Sequence, residues 1–138
     1  MKQLTALRRL ILNFNELVVV PNYCSQMHFL EELSVEDNVL VDWPTDLCHS
    51  PYLRVLRISR NFLTSLPSAF GNLMTLRELY LNSNRLRALP ERFGNLIHLQ
   101  TLTLDHNQLR DLPATFMQLT RLVTLSLGEN ELRALSQD

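Results

Sequence analysis

Asn15, Asn38, Asn61, Asn84, Asn107 and Asn130 stand 23 residues apart without slippage, each at the same place in a frame of leucine-like residues. From Leu53 the frame reads Leu53, Leu56, Ile58, Asn61, Leu63, Leu66, Pro67, Phe70 and Leu73. It restarts at Leu76, Leu99 and Leu122, and Leu7 and Leu30 begin two earlier, less regular units. A fixed period of this length makes each unit one supersecondary element whose apolar face only its neighbours can cover. The expectation is one domain over residues 1–138, built of six repeats, with no linker and no second domain.

Within a repeat, counted from its first leucine, the segment x-Leu-x-Leu-x alternates with period two, the pattern of a short strand with one buried face. One strand per repeat, always entered in the same direction, gives a parallel sheet. The chain must then turn, which leaves backbone groups pointing at the next coil where water cannot reach. An amide side chain at position nine supplies both donors and an acceptor for them. The six asparagines are therefore expected to form a buried hydrogen-bonded ladder. The other half of the repeat, Leu-Pro-x-x-Phe-x-x-Leu, suits a 3₁₀ or short α turn with Pro at its first position. Phe70, Phe93 and Phe116 are expected to stack as a spine, with Leu47 and Cys24 in the same slot of the irregular repeats. Trp43 and the stretch Cys48, His49, Ser50, Pro51 break the pattern in repeat two.

The composition, 46% hydrophobic and 20% charged, is that of a globular chain. A net charge of −1 gives no reason to expect nucleic acid, whose binding needs a basic stripe with several Lys or Arg acting together. Charge is unevenly spread: residues 51–99 carry seven basic and two acidic side chains, against three and seven in 1–50 and three and five in 100–138. Two cysteines are too few for disulfide-stapled ends, and neither an Asn-x-Ser/Thr acceptor, a signal-like h-region nor a membrane-spanning run occurs. A cytoplasmic setting with no membrane partner is the expectation. Six residues precede Leu7 and the chain stops at Leu135, Ser136, Gln137, Asp138 without a polar closing helix, so both ends are expected to expose apolar surface and to allow end-to-end self-association.

The pattern LxxLxLxxNxLxxLPxxFxxLxx is carried by "LRVLRISRNFLTSLPSAFGNLMT", "LRELYLNSNRLRALPERFGNLIH" and "LQTLTLDHNQLRDLPATFMQLTR". It resembles the leucine-rich repeat superfamily over essentially the whole chain, and the 23-residue unit with Leu-Pro is similar to the intracellular subclass of Ras-group-related scaffolds. The resemblance implies an α/β fold: a right-handed curved solenoid with a parallel sheet on the concave face and helical turns on the convex face. It also implies that the concave sheet binds another protein, with a small GTPase or a signalling enzyme as the first partner class.

In that frame positions three, five, seven and eight point outward from the sheet. Six strands about 4.8 Å apart present a surface on the order of 25 Å long, comparable with an interface of about 800 Å² per side. The candidate partner-binding residues are Glu32, Ser34, Glu36, Asp37, Arg57, Arg60, Glu78, Tyr80, Asn82, Thr103, Asp105 and His106. Arg57 and Tyr80 are the expected anchors, since Arg and Tyr are favoured where few residues carry the binding energy. Against that stands Arg57 stacking on Tyr80 or pairing with Glu32, and Asp37 pairing with Arg60 in solvent. Phe14 and Phe62 are expected to be exposed.

Ser83, His106 and Glu129 share position eight of successive repeats, a nominal nucleophile, base and orienting group. An open sheet excludes no water and offers no oxyanion hole, so no catalysis is expected. His28, His49, His98 and His106 fall at different repeat positions, which gives no tetrahedral metal set. Three glycines form no phosphate-cradling loop, so no cofactor is implied. A protein-binding module leads this reading. The alternatives are a structural spacer assembling through its ends, or the recognition portion of a larger enzyme.

Overall fold

The computed structural model describes Leu4 and residues 6–133. The expected lack of a closing helix at Leu135–Asp138 lies outside the described residues. Among the described residues six three-residue strands appear, β1 (Arg9–Ile11), β2 (Glu32–Ser34), β3 (Val55–Arg57), β4 (Glu78–Tyr80), β5 (Thr101–Thr103) and β6 (Thr124–Ser126). They form one parallel sheet in chain order, each pairing with the next at the equivalent repeat position. The period-two pattern explains which face is which. Leu33, Leu56, Leu79 and Leu102 at the strand centres are fully buried, whereas the residues on either side of them turn to the opposite face.

Between strands the chain returns through five 3₁₀ helices, Asn22–Gln26, Thr45–His49, Ser68–Asn72, Glu91–Asn95 and Ala114–Gln118. No short α turn replaces any of them. Pro21, Pro44, Pro67, Pro90 and Pro113 precede the helices as caps, one residue earlier than the sequence pattern places them. The reason is visible at Pro67, whose φ of −65° suits a helix but whose ψ of 153° is extended. Its carbonyl nevertheless accepts the first helical bond, from the Phe70 N–H at 2.9 Å.

Phe70 and Phe93 are fully buried and stack with ring centroids 6.4 Å apart, and Phe93 stacks on Phe116 at 6.3 Å. Cys24 and Leu47 are buried in the same slot. At Gly71 and Gly94, one residue past the spine Phe, the helical turns approach so closely that a side chain does not fit. A Cβ on Gly71 would lie 2.4 Å from the Arg92 carbonyl oxygen, and one on Gly94 would lie 2.0 Å from that of Thr115. Cys48 occupies this slot in repeat two and is fully buried. Trp43 stands where later repeats carry Leu66 and Leu89, and its indole N–H is buried with no hydrogen-bond partner among the described residues. Both features mark repeat two as the place where the coil departs from the regular stack.

The asparagine ladder holds the other edge. Asn61 Oδ1 accepts from the Leu40 N–H of the preceding coil at 3.0 Å, while Nδ2 donates to Val35 O of that coil and to Ile58 O and Ser59 O of its own. Asn38, Asn84 and Asn107 repeat this arrangement and are buried like Asn61. The expectation of six buried amides is corrected at both ends. Asn15 is exposed and, among the described residues, bonds only Leu12 O and Asn13 O, and Asn130 is half-buried. Burial comes from the flanking coils, and each of these two has fewer described coils beside it.

Candidate functional site

The strands end at position five, so positions seven and eight lie in the turn and do not extend the strand face. Position eight is left-handed in every repeat: Phe14, Asp37, Arg60, Ser83, His106 and Glu129 have φ between 54° and 59°. Such a backbone costs an L-residue roughly 1–2 kcal/mol. It persists because its N–H is used: Arg60 N donates to Asn82 O at 3.0 Å, and Ser83 N to Asp105 O at 2.8 Å. The turn is thus set by inter-coil bonding, and each position-eight side chain is aimed by a constrained main chain.

A charged row crosses the first strands. Glu32 accepts from Arg9 Nε at 2.8 Å and from Arg57 Nε at 3.4 Å. The Arg57 guanidinium carbon lies 4.4 Å from the centre of the Tyr80 ring, and the Tyr80 hydroxyl donates to Glu78 at 2.7 Å. Burial and the bond to Glu78 raise the Tyr80 phenol above its ordinary pKa of 10.0, against the opposing pull of Arg57. Arg57 therefore takes both of the satisfied contacts that the sequence offers it, stacking and ion pairing, and still keeps 35% of its side chain exposed. Beside this row, Arg60 Nε donates to both Asp37 oxygens at 2.8 and 2.9 Å, and Nη2 reaches Glu36 at 3.0 Å. The hydrogen bond to Asp37 is the main reason that the Arg60 guanidinium holds its proton more tightly than usual.

Ser34 leaves the candidate set. It is 1% exposed, because its hydroxyl lies under Asn13 and donates to Oδ1 at 2.7 Å, so it offers no surface to a partner. Asn82 and Asp105 are half-buried and play the part of Asn13: Asn82 Oδ1 accepts from Ser59 and Thr103 hydroxyls, and Asp105 Oδ1 accepts from Ser126 and from the Gly128 N–H at 2.8 Å. These bonds knit the floor of the face. Glu32, Glu36, Asp37, Glu78, Tyr80 and Thr103 keep part of their surface open, and Arg60 and His106 are exposed.

Arg9, Asn13 and Ser59 belong to this network although the sequence did not single them out. The signal was present: an Asn or Asp at position seven with Ser or Thr at position five of the next repeat, as in Asn13 with Ser34, Asn82 with Thr103 and Asp105 with Ser126. Phe14 and Phe62 are both exposed, as expected, at 78% and 37%, and Arg85 stacks over the Phe62 ring at 4.5 Å. Among the described residues no hydrogen bond joins Ser83, His106 and Glu129. No group of three or more His, Cys, Asp or Glu side chains there is placed to hold a metal ion, and no helix there is long and apolar enough to cross a membrane.

One strand, an amide-bonded turn and a 3₁₀ return per 23 residues define the class of leucine-rich repeat solenoids. A family model for leucine-rich repeat regions matches residues 47–135, more than half of the chain. The chain belongs to the leucine-rich repeat family. Comparison with curated proteins gives no match. Among solved structures the chain is similar to a leucine-rich repeat protein of Leptospira interrogans, at 29% identity and a TM-score of 0.79 over 96% of this chain and 40% of that one. It is similar to a plant peptide hormone receptor solved in complex with RGF2, at 31% identity and a TM-score of 0.82 over 93% of this chain and 21% of that one. It is also similar to the leucine-rich repeat domain of the type III effector XopL, at 28% identity and a TM-score of 0.84 over 92% of this chain and 46% of that one. The chain thus spans less than half the length of each. The fold generally mediates protein–protein interaction.

Proposed function

We propose that this chain is a non-catalytic, cytoplasmic protein-binding module whose concave sheet grips a signalling protein, with a small GTPase as the partner class. One observation carries the reading: Arg57 and Tyr80, partly exposed and stacked, stand at the middle of a rigid wall flanked by Glu32 on one side and by the Arg60 cluster on another. A stacked pair of this kind is pre-organised. It loses little side-chain freedom on binding, which favours its use as an anchor. The similarity of the repeat unit to intracellular Ras-group-related scaffolds supports the partner class.

The test is binding of purified small GTPases, loaded with a non-hydrolysable GTP analogue, to the wild-type chain and to the Arg57→Ala/Tyr80→Ala variant. Affinity is expected to fall roughly a hundredfold when two central anchors are lost. Equal affinity of both proteins, with circular dichroism unchanged, removes the anchors. Failure of the wild type to bind any member of the panel removes the partner class.

A further inference from the structure

The turns that lead into the strands form a second surface, which the concave face does not use. Phe29 and Tyr52 stack on one another with ring centroids 5.9 Å apart and planes 11° from parallel, yet each is 52% exposed. The following two turns add Met74, 51% exposed, and Ile97, 43% exposed. Phe29 and Tyr52 hold one repeat position and Met74 and Ile97 the position before it, so four consecutive turns each expose a large apolar side chain along this edge, and a run of that kind marks an interaction site where single exposed residues do not. Phe62, past the asparagine turn, shows the contrast, since Arg85 covers its ring.

Charge says what covers the ridge. Two residues after Tyr52 and three after Met74 stand Arg54 and Arg77, both exposed. Among the described residues neither joins an ion pair. Arg121, at the repeat position of Phe29 and Tyr52, contacts His98 at 2.7 Å. Along the turns themselves the one carboxylate is Glu31, near the Phe29 end, while Glu32 and Glu78, which begin the strands that follow, are bonded by Arg9 and Arg57 and by the Tyr80 hydroxyl. A ridge of four repeats is roughly 15–20 Å long, the span of five or six extended residues.

We propose that this edge docks an extended acidic peptide segment of another protein, its apolar side chains on Phe29, Tyr52, Met74 and Ile97 and its carboxylates on Arg54 and Arg77. An anionic membrane is the competing occupant for a basic and apolar surface. It is disfavoured by geometry, because lipid-binding basic patches cluster four or more Lys or Arg, whereas the exposed arginines of this edge, Arg8, Arg54, Arg77 and Arg121, are spread along the chain at two repeat positions, with Glu31 between Arg8 and Arg54. Arg also suits the occupant, since its planar fork pairs with a carboxylate through two parallel hydrogen bonds.

The experiment uses fluorescence anisotropy with a labelled peptide of repeated Asp-Glu-Phe, and in parallel sedimentation with phosphatidylserine vesicles. The wild type is expected to bind the peptide, more weakly as salt rises. Arg54→Glu/Arg77→Glu and Tyr52→Ser are each expected to weaken binding roughly tenfold or more, while Arg57→Ala/Tyr80→Ala leaves it within about twofold, which separates this edge from the concave anchors. Circular dichroism confirms that the exposed substitutions keep the fold. The proposal is overturned if the peptide does not bind, if the edge variants bind it as the wild type does, or if the concave variant loses binding equally. Vesicle binding that the edge variants abolish, without peptide binding, assigns the surface to a membrane and also overturns it.

Discussion

Arg57 and Tyr80 are register partners on β3 and β4, and the guanidinium carbon of one lies over the ring of the other, 4.4 Å from its centroid. Parallel pairing places equivalent repeat positions side by side, so the contact follows from the 23-residue spacing of the two residues. A half-exposed pair of this kind couples by about 0.5–1 kcal/mol. A double-mutant cycle of Arg57→Ala and Tyr80→Ala in urea denaturation is expected to return that coupling. Glu78→Gln, which removes the charge that the Tyr80 hydroxyl bonds, is expected to bring the phenol titration, followed in the ultraviolet, back toward its ordinary value. An unchanged titration would assign the shift to burial alone.

The amide ladder predicts a gradient along the chain. Asn61→Ala strands the Leu40 N–H and the carbonyls of Val35 and Ile58, all inside the protein, with a cost of roughly 3–5 kcal/mol. Asn15→Ala removes bonds to two carbonyls that water can reach, and is expected to cost roughly 1 kcal/mol or less. The same urea experiment reads both. Equal losses at the two sites would mean that stability depends on the turn's local conformation and not on bonds between coils.

Close approach of the helical turns makes a third prediction. Gly94→Ala places a methyl group against the Thr115 carbonyl, which belongs to the backbone and cannot swing away. Separating two stacked coils also disturbs Phe93 on Phe116, so the loss is expected to be about 3 kcal/mol or more. Gly128→Ala is the control. Its new Cβ would meet only Asp105 Oδ1 at 3.5 Å, an ordinary contact, and its effect is expected to stay within roughly 1 kcal/mol.

Most of the fold was legible because its determinants repeat. Leu33, Leu56, Leu79 and Leu102 announce buried strand centres by alternation, and Asn61 announces its partners because no other side chain supplies those donors and that acceptor at once. What escaped depends on direction in space. Position eight carries Phe, Asp, Arg, Ser, His and Glu in turn, none of them Gly, so no residue type signals the left-handed backbone that inter-coil bonding imposes. Ser34 looks like any outward strand residue until Asn13 is placed over it. The candidate site was legible as a set of columns; which of its charges are already partnered required side-chain geometry, as at Arg60 with Glu36 and Asp37.

Cys24 and Cys48 give the last prediction, and its sign follows from linkage. Both thiols are buried and free, and burial pushes their pKa values from 9.0 up to about 11. Below pH 9 both are protonated whether the chain is folded or not, so they contribute no pH dependence there. Between about pH 9 and 11 the unfolded chain releases protons that the folded chain retains, and stability falls as pH rises through that window. The urea midpoint is therefore expected to drop above pH 9. Part of that drop should vanish in Cys24→Ala/Cys48→Ala, which is less stable throughout because it loses buried volume. At pH 8 the folded protein is expected to resist a thiol-reactive disulfide such as dithionitrobenzoate, and to react at both cysteines once urea opens it. Rapid labelling of the folded chain would show that the coils around Cys24 or Cys48 open far more readily than the buried ladder beside them implies.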